Sequence, residues 1–125
     1  MPLYKILFVS ACLFLALAVS LGAFAAHALK NSLNLASLEA VQTAVEYQFF
    51  HALGLLALSI LYKYQSDRSV LISALSLIVG IIFFSGSLYG LAVFEWSFLW
   101  PLTPIGGLAF IFAWLNLGYF GVKRF

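Results

Sequence analysis

The stretch ILFVSACLFLALAVSLGAFAA, Ile6 to Ala26, carries no charged side chain and decides the class of fold. A bilayer core is about 30 Å thick and a helix rises about 1.5 Å per residue, so some 20 apolar residues make one crossing. This run is long enough to cross. Lys5 before it and Ala25, Ala26 and Ala28 at its end imitate a secretory leader, but the uncharged run exceeds a signal core, so it reads as a helix that stays in the membrane. Val9-Ser10-Ala11-Cys12 imitates a lipoprotein cleavage box. The apolar segment before Cys12 is too short and the residues after it continue the membrane helix, so Cys12 reads as a packing residue.

Outward from this helix the pattern repeats. Charges cut the chain into further apolar segments, Tyr47 to Tyr62, Ser69 to Phe94 and Trp96 to Val122. The whole chain of 125 residues is 65% hydrophobic and 8% charged, with a mean hydropathy of +1.11, far from the balance of a water-soluble domain. The reading is an all-α transmembrane bundle of four helices in a single domain, at residues 4–29, 37–64, 69–94 and 104–122. Ser37 is expected to cap the second helix with Glu39 in its first turn, and Thr103 to cap the fourth with Pro104 at the first helical position. Trp96 and Trp100, in the connection before it, suit a membrane interface.

Basic residues set the orientation. With four crossings Lys5, Lys63, Arg68, Lys123 and Arg124 share one side and only Lys30 the other, which predicts both termini in the cytoplasm. The net charge of +2 is spread along the chain, so no nucleic-acid footprint forms. No room is left for an extramembrane catalytic module, and no serine has a base and an orienting acid arranged around it, so no enzymatic activity is expected. Two histidines without ligand spacing argue against a metal, and no cofactor is implied.

Small residues mark packing faces, because lipid gives helices no hydrophobic reason to associate and close backbone approach must replace it. Gly22 on the first helix, Gly80, Gly86 and Gly90 on the third, and Gly106 and Gly107 on the fourth are the expected contacts. Ser73 shares the stripe of the third helix, and Asn116 is expected to join helices by a hydrogen bond. Applying the topology to the polar residues gathers His27, Glu46, Tyr47, Gln48, His51, Ser85, Ser87 and Tyr89 in the outer half of the membrane. Two interpretations compete: a hydrogen-bonded cluster that fixes helix packing, and a polar pocket in which His51 and Glu46 carry protons or bind a ligand.

The segments Gly22-Ala23-Phe24-Ala25-Ala26-His27-Ala28-Leu29, Thr43 to Leu53 (TAVEYQFFHAL), Phe84-Ser85-Gly86-Ser87-Leu88-Tyr89 and Thr103-Pro104-Ile105-Gly106-Gly107 together resemble the YgdD-like family of small membrane proteins. The resemblance runs in order over nearly the whole chain; Ala25 stands where many members carry glycine. It implies a bacterial cytoplasmic-membrane location and no known activity, and it makes His27, Tyr47, Gln48, His51, Ser85, Ser87, Tyr89, Pro104, Gly106 and Gly107 the positions to follow. The functional expectation is a non-catalytic accessory or stabilising protein. Its partners would be membrane lipids and a second copy of itself or a larger membrane complex. The alternatives are a small-solute or proton pathway in an oligomer, and a lipid- or quinone-binding protein.

Overall fold

The computed structural model describes all residues from Met1 to Phe125. Four helices are long and apolar enough to cross a membrane: α1 (Leu3–His27), α2 (Leu35–Tyr64), α3 (Arg68–Val93) and a fourth beginning with a 3-10 turn at Ser97–Leu99 and continuing as α4 (Leu102–Arg124). At about 1.5 Å per residue α2 is about 45 Å long and overruns a hydrocarbon core. A short 3-10 turn, Leu29–Asn31, links it to α1.

Packing is sequential. α1 lies against α2, α2 against α3, and α3 against α4. In their most apolar windows α2 and α3 are 39% buried, whereas α1 and α4 are 17% buried. The central pair therefore forms the core, and the outer pair presents apolar side chains such as Leu13, Leu17, Leu108 and Leu115 outward. Such exposure is tolerable only in lipid. The main core joins Leu7 and Ala11 of α1, Leu55 of α2, Val70 and Leu77 of α3, and Phe110 of α4. Cys12 faces outward rather than packing inside.

Several expected details differ. α2 begins at Leu35, capped by Asn34, whose side chain accepts the Ser37 N–H at 2.8 Å. Asparagine in an extended conformation caps as well as serine does, so Ser37 becomes a first-turn residue and Glu39 falls beyond that turn. α4 begins at Leu102, so Thr103 is inside the helix and caps nothing. Pro104 is accommodated because first-turn N–H groups have no intrahelical acceptor. The third rod starts at Arg68, where Asp67 accepts the Ser69 N–H at 2.7 Å, and ends at Val93.

That rod is not uniform. Ile81–Ser85 forms a π-helical turn between the α-helical segments Arg68–Gly80 and Gly86–Val93. Beyond Val93 the helix closes as Glu95 takes the left-handed conformation, φ 56°, while the Trp96 N–H returns to the Gly90 carbonyl at 3.1 Å. Glu95→Gly removes the cost of placing a side chain there and is expected to stabilise the fold by about 1 kcal/mol. Thermal unfolding in detergent checks this; an unchanged or lower midpoint contradicts it.

Candidate functional site

The π-turn organises the middle of the bundle. One inserted residue re-aims the side chains on either side of it, and Ser85 at its end is fully buried. Its hydroxyl donates to the Ala44 carbonyl of α2 at 2.7 Å. On the opposite side α4 comes close: a Cβ on Gly106 would lie 2.2 Å from the Phe84 backbone nitrogen. Only glycine permits that approach.

Beside the turn lies an aromatic stack. Phe110 of α4 sits face to face with the His51 imidazole, centroids 3.6 Å apart and planes 13° apart. The same Phe110 ring rests on Gly80, where a Cβ would be 2.3 Å from it. Tyr47 lies 4.7 Å from Phe84, and Phe84 meets Phe110 edge-on at 5.7 Å. His51 Nδ1 is 2.7 Å from the Tyr47 carbonyl. A carbonyl can only accept, so Nδ1 carries the hydrogen.

Gln48 is the second focus. Its Nε2 donates to the Phe14 carbonyl of α1 at 2.7 Å, while its Oε1 accepts the Tyr89 hydroxyl of α3 at 2.7 Å. One buried amide thus ties three helices. Ser87 donates to the Phe84 carbonyl and shares a short hydrogen bond with Thr103 of α4, which is the role that replaces the expected cap. Towards the other end Asn116 donates to the Ser69 carbonyl and to Ser73 Oγ, both at 2.9 Å, and Ser73 donates to the Ala113 carbonyl at 2.9 Å.

Replacing one member of the Gln48–Tyr89 pair leaves the other without its partner in a low-dielectric interior. A cycle of Gln48→Leu, Tyr89→Phe and the double variant is expected to show a coupling of about 0.6 to 1.7 kcal/mol in unfolding free energy. Additive effects would mean the hydrogen bond contributes nothing.

Tyr47, Gln48, His51, Ser85, Ser87 and Tyr89 therefore come together around the π-turn and its neighbours. Two expected members do not. Glu46 is exposed and lines a shallow groove between α1 and α2 with Gly22, Ala25, Gln42 and Val45. His27 is the exposed last residue of α1, about 20 Å along that helix from the Phe14 carbonyl. The polar groups do not share one depth. The antiparallel pairing sets Val45 against Gly22, and His51 lies about 9 Å further along α2, towards the middle of the bundle.

The expected packing glycines divide likewise. Gly22, Gly80, Gly90 and Gly106 are tight, whereas a Cβ on Gly107 would make ordinary contact with Phe84 at 3.8 Å. Gly86 packs against nothing: it is exposed, with no atom within 4 Å of an added Cβ. Gly54 was not anticipated, although a Cβ there would lie 2.7 Å from the Trp114 ring. Phe84 and Phe110 were also missed. The spacing of Phe110 and Trp114, four apart and so on one helix face, is the signal that could have found the α4 side of the stack.

No three His, Cys, Asp or Glu side chains gather where they would hold a metal ion. Every buried side-chain nitrogen and oxygen has a hydrogen-bond partner. Fold and site together define a small multi-pass α-helical membrane protein whose interior polar groups bind helix to helix.

The comparisons with known proteins agree. The family model described as "Protein of unknown function (DUF423)" matches residues 21–107, which include the π-turn, Gln48, His51 and Gly106. A UPF0382 membrane protein of Haemophilus influenzae is 43% identical over 105 residues, covering 84% of each chain. The UPF0382 membrane protein YwdK of Bacillus subtilis is 42% identical, covering 86% of this chain and 88% of its own length. The UPF0382 inner membrane protein YgdD of Escherichia coli is 36% identical, covering 85% and 82%. The chain belongs to this UPF0382 (DUF423) family, and it is a bacterial membrane protein with four candidate spans. No solved structure matches it.

Proposed function

We propose that this protein is a non-catalytic membrane component, an accessory or stabilising subunit that offers a rigid helical surface to another membrane protein or to a second copy of itself. The observation that carries this reading is the satisfaction of the interior. Gln48, Ser73, Ser85, Ser87, Tyr89 and Asn116 each spend their hydrogen bonds on another helix or on their own backbone, and no buried polar side-chain atom is left over to meet a substrate. A pathway needs water or convergent free groups at mid-depth. His51 instead stacks on Phe110, and the groove lined by Glu46 does not include it. The outward apolar faces of α1 and α4 suit contact with neighbouring transmembrane helices.

Both termini belong in the cytoplasm on this reading. Lys5, Lys63, Arg68, Lys123 and Arg124 flank the spans at one end of the bundle, and Lys30 alone the other. A fluorescent protein fused after Phe125 is expected to fold and fluoresce in the cytoplasm, while an alkaline phosphatase fusion there stays inactive; the reverse contradicts the orientation.

The role itself is tested by His51→Ala. The variant is expected to lower the unfolding midpoint in detergent or to weaken assembly, and proteoliposomes of the unmodified protein are expected to pass neither protons nor a panel of small solutes. Flux that depends on His51 would overturn the proposal in favour of a pathway.

A further inference from the structure

At the end of the bundle opposite the Glu46 groove, the start of α1 and the last turns of α2 line a groove of about 500 Å³. Its composition is uneven. Phe8, Val9 and Ile60 form apolar walls, and two ammonium groups, Lys5 and Lys63, line the same groove from different helices. No acidic side chain lines it. Asp67, the carboxylate near this end, is instead within 3.5 Å of Arg124.

Lys63 is also held in place. Its Nζ lies 5.7 Å from the Tyr4 ring centroid and 5.4 Å from that of Tyr64, so two aromatic faces restrain a side chain that would otherwise sample many rotamers. Lys5 lies in the first turns of α1 and Lys63 in the last turn of α2, so both heads are at an end of their spans, level with phospholipid headgroups. The walls continue from that level towards the bilayer interior, as Phe8 on α1 and Ile60 on α2 lie inward of the two lysines.

We propose that this groove binds one anionic phospholipid, its phosphate between Lys5 and Lys63 and an acyl chain along Phe8, Val9 and Ile60. Charge complementarity selects the occupant: a zwitterionic lipid fills the apolar part equally well but brings its own cation to two lysines. Each lysine near an anionic headgroup contributes roughly fivefold in affinity, so the pair gives about 25-fold preference. The site is separate from the π-turn and does not depend on the function proposed above.

The full-length protein, purified in a neutral detergent, is titrated with dioleoyl phosphatidylglycerol or dioleoyl phosphatidylcholine and the lipid retained is counted by native mass spectrometry. The expected result is a single tightly held phosphatidylglycerol, preferred about 25-fold. Lys5→Gln/Lys63→Gln should abolish the preference, while Lys5→Arg/Lys63→Arg and Lys123→Gln should keep it; the arginine pair separates loss of the site from loss of fold. Equal retention of the two lipids by the unmodified protein, or a preference that survives the glutamine pair, would overturn the proposal. Displacement of the lipid by inorganic phosphate at equal concentration would also overturn it, since the site would then read the anion alone.

Discussion

Gly106→Ala is expected to destabilise the fold by about 3 kcal/mol, an effect at the upper end of ordinary overpacking. The added Cβ would lie 2.2 Å from the Phe84 nitrogen, 2.8 Å from the Phe83 carbonyl carbon and 2.8 Å from the Phe84 Cα. All three atoms are backbone, inside a π-turn whose far side is pinned by the Ser85 bond to α2. No rotamer change relieves the clash, so α4 has to move away from α3 and the Ser87–Thr103 contact goes with it. Thermal or denaturant unfolding in detergent measures the loss. Gly107→Ala is the control, because its Cβ would make only ordinary contact. Equal stability of the two variants would show that the close approach does not hold the bundle together.

Gly80→Ala is the second large effect, and it differs in being correctable. Its Cβ would meet the Phe110 ring at 2.3 Å, and the stack of that ring on His51 limits how far it can move. A loss of about 2 to 3 kcal/mol is expected. Phe110→Leu should recover part of it when combined with Gly80→Ala, although alone it costs stability by thinning the core. The sign of that coupling is the test. If the two substitutions simply add, Gly80 and Phe110 do not oppose one another in the folded protein.

The apolar runs made the four helices legible, because a bilayer imposes a length and excludes charge, and both constraints are written in composition. Local endings were harder. Asn34 and Ser37 are both good caps, and only the backbone conformation at Asn34 chooses between them. Thr103 next to Pro104 has the composition of a helix start, yet Pro101 and the preceding 3-10 turn already lead into the helix and free the hydroxyl for Ser87.

The site was legible as a set of residues and misread as a layer. Gln48, Ser85, Ser87 and Tyr89 each find a partner on another helix or at the π-turn. A projection of regular helices could not place them, because the π-turn changes the rotation of every residue that follows it. Polarity and the depth read from the topology drew His27 and Glu46 into the group; both are exposed, and the bonds and stacks that gather the other six around the π-turn do not include them. The aromatic contribution from Phe84 and Phe110 was hidden because phenylalanine is common along this chain and nothing in a single apolar run singles out the ring that stacks.

A packed helical scaffold requires the middle of this bundle to be filled and hydrogen-bonded rather than open to water. The direct measurement replaces Cys12 by alanine, introduces cysteine singly at Ser85, Ser87 and Glu46, and reacts intact membranes and everted vesicles with a membrane-impermeant maleimide. Glu46→Cys should be modified from one side only, while Ser85→Cys and Ser87→Cys stay unreactive from both until detergent and denaturant open the fold. Modification of Ser85→Cys in folded protein from either side would reveal a water-filled route at the π-turn and contradict the scaffold reading.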